Sequence, residues 1–169
     1  MTETVTGDTG KAYDEGIEKG AENLTQSRIA EVFGKMLKAE GGARFKTYLN
    51  TCMSCGLCSE ACHYYLSQDK NPLYAPAAKV KLTIGELVKK KGKVGPETIK
   101  NACEIAFTEC NLCRRCMMYC PFGIDVAYLM LFVRRFCHKL GVVPQYIQDT
   151  AHSHSATLNQ MWVQEDEWI

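Results

Sequence analysis

Residues 52–62 read Cys52-Met53-Ser54-Cys55-Gly56-Leu57-Cys58-Ser59-Glu60-Ala61-Cys62, and residues 110–121 read Cys110-Asn111-Leu112-Cys113-Arg114-Arg115-Cys116-Met117-Met118-Tyr119-Cys120-Pro121. Both follow one spacing, C-x2-C-x2-C-x3-C, and this is the single internal repeat of the sequence. Three cysteines at intervals of three residues let one tight loop turn three thiolates onto a common centre. The fourth comes one residue later, where the chain enters the next element, and points away toward a neighbouring centre. Eight of the ten cysteines belong to the repeat.

What clustered thiols do depends on the compartment. In a secreted miniprotein ten cysteines would suggest disulfides. The opening residues 1–22 carry Glu3, Asp8, Asp14, Glu15, Glu18 and Glu22 and no apolar run. A secretory signal needs a basic start and an apolar core. No stretch reaches the ~18 apolar residues needed to cross a bilayer; Val126 to Val133 is the best candidate and is broken at once by Arg134 and Arg135. The expectation is a cytoplasmic protein without a direct membrane span, joined to a membrane only through a complex. In a reducing compartment clustered cysteines are metal ligands or redox groups.

The doubled spacing is that of two-cluster ferredoxins, in which the fourth cysteine of each run ligates the other cluster. On that reading one [4Fe–4S] cubane takes Cys52, Cys55, Cys58 and Cys120, and the second takes Cys110, Cys113, Cys116 and Cys62. Structural zinc prefers separated C-x2-C pairs around a tetrahedral ion, and a third cysteine at the same interval fits it poorly. One departure from the ferredoxin pattern is that the first run ends Cys62-His63, where Cys-Pro is usual. His63 either donates a hydrogen bond near a cluster or stacks on Tyr64 or Tyr65.

Outside the repeat the sequence reads as helices. Hydrophobic residues make up 46% and charged residues 23% of the 169, an ordinary globular balance. The net charge of +1 gives no steer toward nucleic acid or lipid. Residues 1–22 read as a flexible acidic tail. A helix is expected from about Leu24 to Glu40, capped by Asn23, with Ile29, Val32, Phe33, Met36 and Leu37 on one face. Pro76 and Pro96 open two more, the first carrying Val80, Ile84, Leu87 and Val88 and ending at Gly92, the second carrying Ile99, Ala102, Cys103 and Ala106. The last runs from an Asp125 cap through Val126, Leu129, Met130, Val133, Cys137 and Leu140 to Gly141, with Arg134, Arg135, His138 and Lys139 toward the negative end of its dipole. No segment alternates with the period of a strand. The fold class is mostly α, with the cluster domain at 23–141 and residues 142–169 as a docking tail or a linker to a further domain. The helices are expected to have little core of their own, so that removing metal unfolds them.

The 47 residues between Cys62 and Cys110 carry two helices, far more than a small β-rich ferredoxin inserts. Paired motifs around a long helical insert resemble the α-helical ferredoxin domain of heterodisulfide-reductase C subunits (HdrC) and HdrD-like relatives. That group includes the anaerobic glycerol-3-phosphate dehydrogenase C subunit and the iron–sulfur half of succinate dehydrogenase. The resemblance covers about residues 24–169. Within the group, residues 52–65 and Gln145 to Trp162 look most like DsrK, from the sulfate reducers' membrane complex DsrMKJOP. It implies a relay of electrons between a membrane quinol-oxidising or cytochrome subunit and a disulfide-reducing site with CCG motifs, in anaerobic sulfur metabolism. This chain has no Cys-Cys pair, so the resemblance puts that chemistry on a partner or on a further domain. An iron–sulfur redox sensor and a structural interaction module are the competing readings. No catalytic residues of the chain's own are recognisable.

The smaller signals have plainer readings. Cys103 and Cys137 fall on apolar helix faces as buried inert thiols. Lys79, Lys81, Lys89, Lys90, Lys91 and Lys93 read as a solvated basic face, or as a docking site for an acidic electron-transfer partner or an anionic membrane surface. Arg114 and Arg115 either raise the potential of the second cluster or pair with nearby acids. His152 and His154 read as loop residues, and Trp162 and Trp168 as interface anchors.

Overall fold

The computed structural model describes residues 14–40 and 42–158, and all regular structure in them is helical. The mostly-α expectation holds. Ten α-helices are described: α1 (Glu15–Glu22), α2 (Gln26–Ala39), α3 (Gly42–Thr51), α4 (His63–Ser67), α5 (Pro76–Val80), α6 (Glu86–Lys89), α7 (Pro96–Thr108), α8 (Arg115–Met118), α9 (Val126–Leu140) and α10 (Gln145–Thr157). A π-helical turn, Lys81–Gly85, joins α5 to α6 in one continuous rod. Asn71 caps a short 3-10 turn, Pro72–Tyr74, its side chain accepting from the Leu73 N–H.

The core is built on α9, which packs chiefly on α7 and also on α2 and α5. It buries Leu129, Met130, Phe132, Val133, Phe136, Cys137 and Leu140. Asp125 caps it, accepting from the Tyr128 N–H at 3.0 Å. Gly141 closes it in the left-handed region (φ 83°), where a side chain would be strained. Phe33 of α2 and Phe45 of α3 meet Phe132 in edge-on and tilted contacts, with centroids 6.2 and 4.6 Å apart. Ile99, Ala102, Cys103 and Ala106 line the inner face of α7, as their spacing required. This apolar cluster is continuous through α1, α2, α5, α7 and α9, and Cys52, Cys110, Cys116 and Cys120 are only partly buried neighbours packed against it. The expectation of little core is therefore wrong.

Two boundaries differ from the sequence reading. Residues 15–22, assigned to a flexible tail, form α1 and bury Ile17 and Ala21. Composition hid this, because the acidic residues face outward while Gly16 and Gly20 let the helix approach its neighbours. A Cβ on Gly20 would stand 2.2 Å from the Gly141 carbonyl oxygen. Asn23 consequently ends α1, and Thr25 caps α2. His152 and His154, read as loop residues, lie within α10. That helix starts after Pro144, and its first free N–H, on Gln145, donates to Asp14 at 2.9 Å. Trp162 and Trp168 lie outside the described residues. Among the described residues no helix is long and apolar enough to cross a membrane.

Candidate metal centres

The two cysteine runs adopt one backbone design. In the first, Ser54 (φ 54°) and Gly56 (φ 85°) are left-handed; in the second the equivalent residues Leu112 (φ 60°) and Arg114 (φ 62°) are. The turns that follow also match. Ser59 N–H donates to Gly56 O and Cys62 N–H to Ser59 O, at 2.8 and 3.0 Å. In the second run Met117 N–H donates to Arg114 O and Cys120 N–H to Met117 O, at 3.0 and 3.2 Å. Left-handed residues at these two places reverse the chain twice within five residues, which curls three cysteines around one space. Only Gly56 holds such a conformation without steric cost.

Rigid elements fix both ends of each loop. Helix α3 ends at Thr51 and delivers Cys52; α7 ends at Thr108 and delivers Cys110 after one further residue. Cys62 then stands at the N-cap position of α4, whereas Cys120 enters a turn closed by Gly123 N–H to Cys120 O at 3.0 Å. The His63 departure has a structural counterpart here: the chain passes from Cys62 directly into a helix. His63 itself is exposed and lies against Tyr64, with ring centroids 4.4 Å apart.

Two separate cavities result. One is lined by Cys52, Cys55, Cys58 and Cys120, with Ala77, Phe122 and Ile124 among its walls. The other is lined by Cys62, Cys110, Cys113 and Cys116, with Pro76, Lys79, Val126 and Ala127. Each gathers three cysteines of one run and the fourth of the other. All four members of each set line a common space, and among the described residues no three His, Cys, Asp or Glu converge closely enough for a single metal ion. Thiols set around a cavity suit a multi-iron cluster, which takes one thiolate at each iron and so holds its ligand sulfurs farther apart than one tetrahedral zinc does. Burial raises the thiols of Cys58 and Cys110 above their ordinary range and pushes Cys116 up to about 12. Loading a metal on such thiols must release protons. Cys103 and Cys137 are fully buried away from both cavities; Cys103 donates to Val142 O at 3.4 Å.

Two cations near the second cavity were not legible as part of it. Lys79, grouped with a solvated basic stretch, is 2% exposed. Its Nζ donates to the Glu109 carbonyl, stands 4.0 Å from the Cys62 sulfur and lies 4.7 Å over the Tyr64 ring. The available signal was its register: Lys79 precedes core residue Val80 and lies four residues before buried Thr83, so it shares the inner face. Arg134 donates to Ala106 O at 2.8 Å, a carbonyl that α7 leaves open in its last turn, and to Cys110 O in the loop that follows. Arg114 pairs with buried Asp125 at 3.4 Å, the second of its two expected roles.

Residues 48–124 match the family model of a 4Fe-4S dicluster domain. The chain is similar to "Hdr-like menaquinol oxidoreductase iron-sulfur subunit 2" of Archaeoglobus fulgidus, 28% identical over 145 residues that make up 78% of this chain and 26% of that protein. It is also similar to "Hdr-like menaquinol oxidoreductase iron-sulfur subunit" of Archaeoglobus profundus, 29% identical over 133 residues, 72% of this chain and 24% of that protein. The chain thus spans about a quarter of the length of the curated relatives it matches. No solved structure matches it. The domain match and the relatives' printed names fit the resemblance to HdrC-like iron–sulfur proteins that the two motifs carried.

Proposed function

We propose that this HdrC-like iron–sulfur chain holds two [4Fe–4S] clusters in crossed ligation and relays electrons between a membrane quinol-oxidising or cytochrome subunit and a heterodisulfide-reductase-like site bearing CCG motifs. The carrying observation is the pair of cavities, each lined by the four cysteines that crossed ligation assigns to it. When bound, such clusters supply reversible one-electron chemistry. The chain's own residues bind and space them. Helices α3 and α7 anchor the loops, Ala77 and Ile124 wall the first cavity, and Pro76, Val126 and Ala127 wall the second.

The relatives' printed names, which refer to a menaquinol oxidoreductase, support the quinol-oxidising partner; the CCG-bearing partner is part of the proposal, since this chain carries no Cys-Cys pair. A nearer likeness to DsrK and a place in anaerobic sulfur metabolism belong to the same proposal, as does membrane association through a complex. Large apolar side chains left exposed on the cysteine loops, Met53, Leu57, Met118, Tyr119 and Phe122, suit a partner that docks over the clusters. The chain is divided into a cluster-binding unit over 23–141, on which α1 packs, with α10 against α1, and a C-terminal docking or linking segment.

Iron and acid-labile sulfide should each approach about eight per chain in anaerobically purified protein, since each cubane holds four of both. Stoichiometric zinc without a brown chromophore would overturn the assignment. Replacing Cys62 with Ser should disturb the cluster of Cys110, Cys113 and Cys116; loss of the other cluster would refute crossed ligation. Repeated oxidation and reduction without iron loss is expected of a relay, while breakdown on oxidation would favour a sensor.

A further inference from the structure

The two cavities are alike in most features that set a cluster's potential. Cys55 and Cys113 are exposed, and the other six ligand candidates are half-buried. Burial also acts in both, raising the thiol of Cys58 in the first and those of Cys110 and Cys116 in the second. Charge is where they differ. Apart from the thiols, the first cavity is lined by Met53, Ser54, Ala77, Phe122 and Ile124, none of them ionisable. The ionisable residues lining the second, apart from the thiols, are Lys79, Arg114, His63, Tyr64 and Glu109, and Arg134 donates to the Cys110 carbonyl beside it.

Of the cations only Lys79 is buried; Arg134 is half-buried and donates to the Ala106 and Cys110 carbonyls, with no contact to a ligand sulfur among its hydrogen bonds. Arg114 is mostly exposed and paired with Asp125, His63 is exposed, and Glu109, of opposite sign, is half-buried. The Lys79 nitrogen is surrounded by a carbonyl oxygen, the Cys62 sulfur and an aromatic face, which are the neighbours of an ammonium donor. A positive charge in a poorly screened wall favours the more negative, reduced state of a cluster beside it.

On the two-cluster reading above, we propose that Lys79 sets the cluster of Cys62, Cys110, Cys113 and Cys116 at a higher potential than the cluster of Cys52, Cys55, Cys58 and Cys120, so that electrons pass from the latter to the former. The exchange moves one electron: the donor cluster is oxidised by one, the acceptor is reduced by one, and no bond or proton changes place. Lys79 acts through the Cys62 sulfur and is a positioning residue. Its bond to the Glu109 carbonyl also caps α7, a purely structural role that would leave the order of potentials unchanged.

A redox titration with dithionite and mediators, followed by electron paramagnetic resonance on the full chain with its iron counted, separates these roles. Two waves are expected in the unsubstituted protein, and the wave altered by Cys113→Ser should be the higher. Lys79→Gln keeps a donor for the carbonyl but no charge; it should lower that wave toward the other and leave the other in place. Lys79→Arg should hold the original order. Fewer than two cubanes in the unsubstituted protein would defeat the cluster reading itself. Two cubanes with the Cys113→Ser wave lying lower, or with Lys79→Gln moving neither wave or the wrong one, would overturn the role of Lys79. Should Lys79→Gln load poorly, Lys79→Met makes the same comparison on an apolar stem of similar length, with the same outcomes deciding.

Discussion

Among single residues, Gly56 has the sharpest requirement. It is left-handed at φ 85°, and a Cβ there would meet nothing within 4 Å. Substitution therefore costs conformation and not space. Gly56→Ala should destabilise the loop by about 1–2 kcal/mol, measured as a lower denaturant midpoint of the cluster-loaded protein. The matching position holds Arg114, which already bears such strain. Cys103 offers the opposite contrast with the repeat cysteines. It is fully buried but lines neither cavity, so Cys103→Ala should retain the full iron content while costing about 1 kcal/mol for the small void. Iron loss in that variant would show that Cys103 serves a cluster.

At the scale of elements, α1 is held on by two devices. Asp14 accepts from the Ile17 N–H at 3.1 Å, capping α1, and from the Gln145 N–H at 2.9 Å, tying it to the start of α10. Asp14→Ala should cost about 1–2 kcal/mol as both helix starts lose an acceptor. The second device is close approach at Gly20, where an added methyl would collide with backbone at Gly141. Gly20→Ala should cost about 1–3 kcal/mol by overpacking. Chemical denaturation checks both, and an unchanged midpoint in either would mean that α1 contributes nothing to stability. Acidic composition pointed to a loose tail because it counts charges without asking which face they occupy. Glu15, Glu18 and Glu22 stay at least partly exposed while Gly16, Ile17 and Ala21 turn inward.

For the whole molecule, the apolar cluster spanning α1, α2, α5, α7 and α9 changes what metal removal should do. Phe33, Phe45, Phe132 and Phe136 pack together without help from any repeat cysteine, and Ile99, Ala102 and Ala106 back them on α7. Chelation under reducing conditions should free the loops 52–62 and 110–124 and leave most helicity. Far-ultraviolet circular dichroism should fall only in part, and limited proteolysis should cut within those loops first. Complete loss of helicity would restore the view that the clusters hold the fold together.

The repeat was legible in the sequence because ligand spacing is local. Two runs of C-x2-C-x2-C-x3-C specify tight loops whatever surrounds them, and the Pro76, Pro96, Asp125 and Gly141 signals act within one turn of their own helices. From these came the helical class, the main helices and the expected ligand sets. Helix α1 and the contacts of Lys79 were decided only in three dimensions. A lysine in a basic stretch looks solvated until α5 packs against α9 and the π-helical turn after it against α7; its nitrogen then finds the Glu109 carbonyl, 30 residues away, and the Cys62 sulfur, 17 away. Charge counts along a chain carry no information about such distant acceptors; packing creates them.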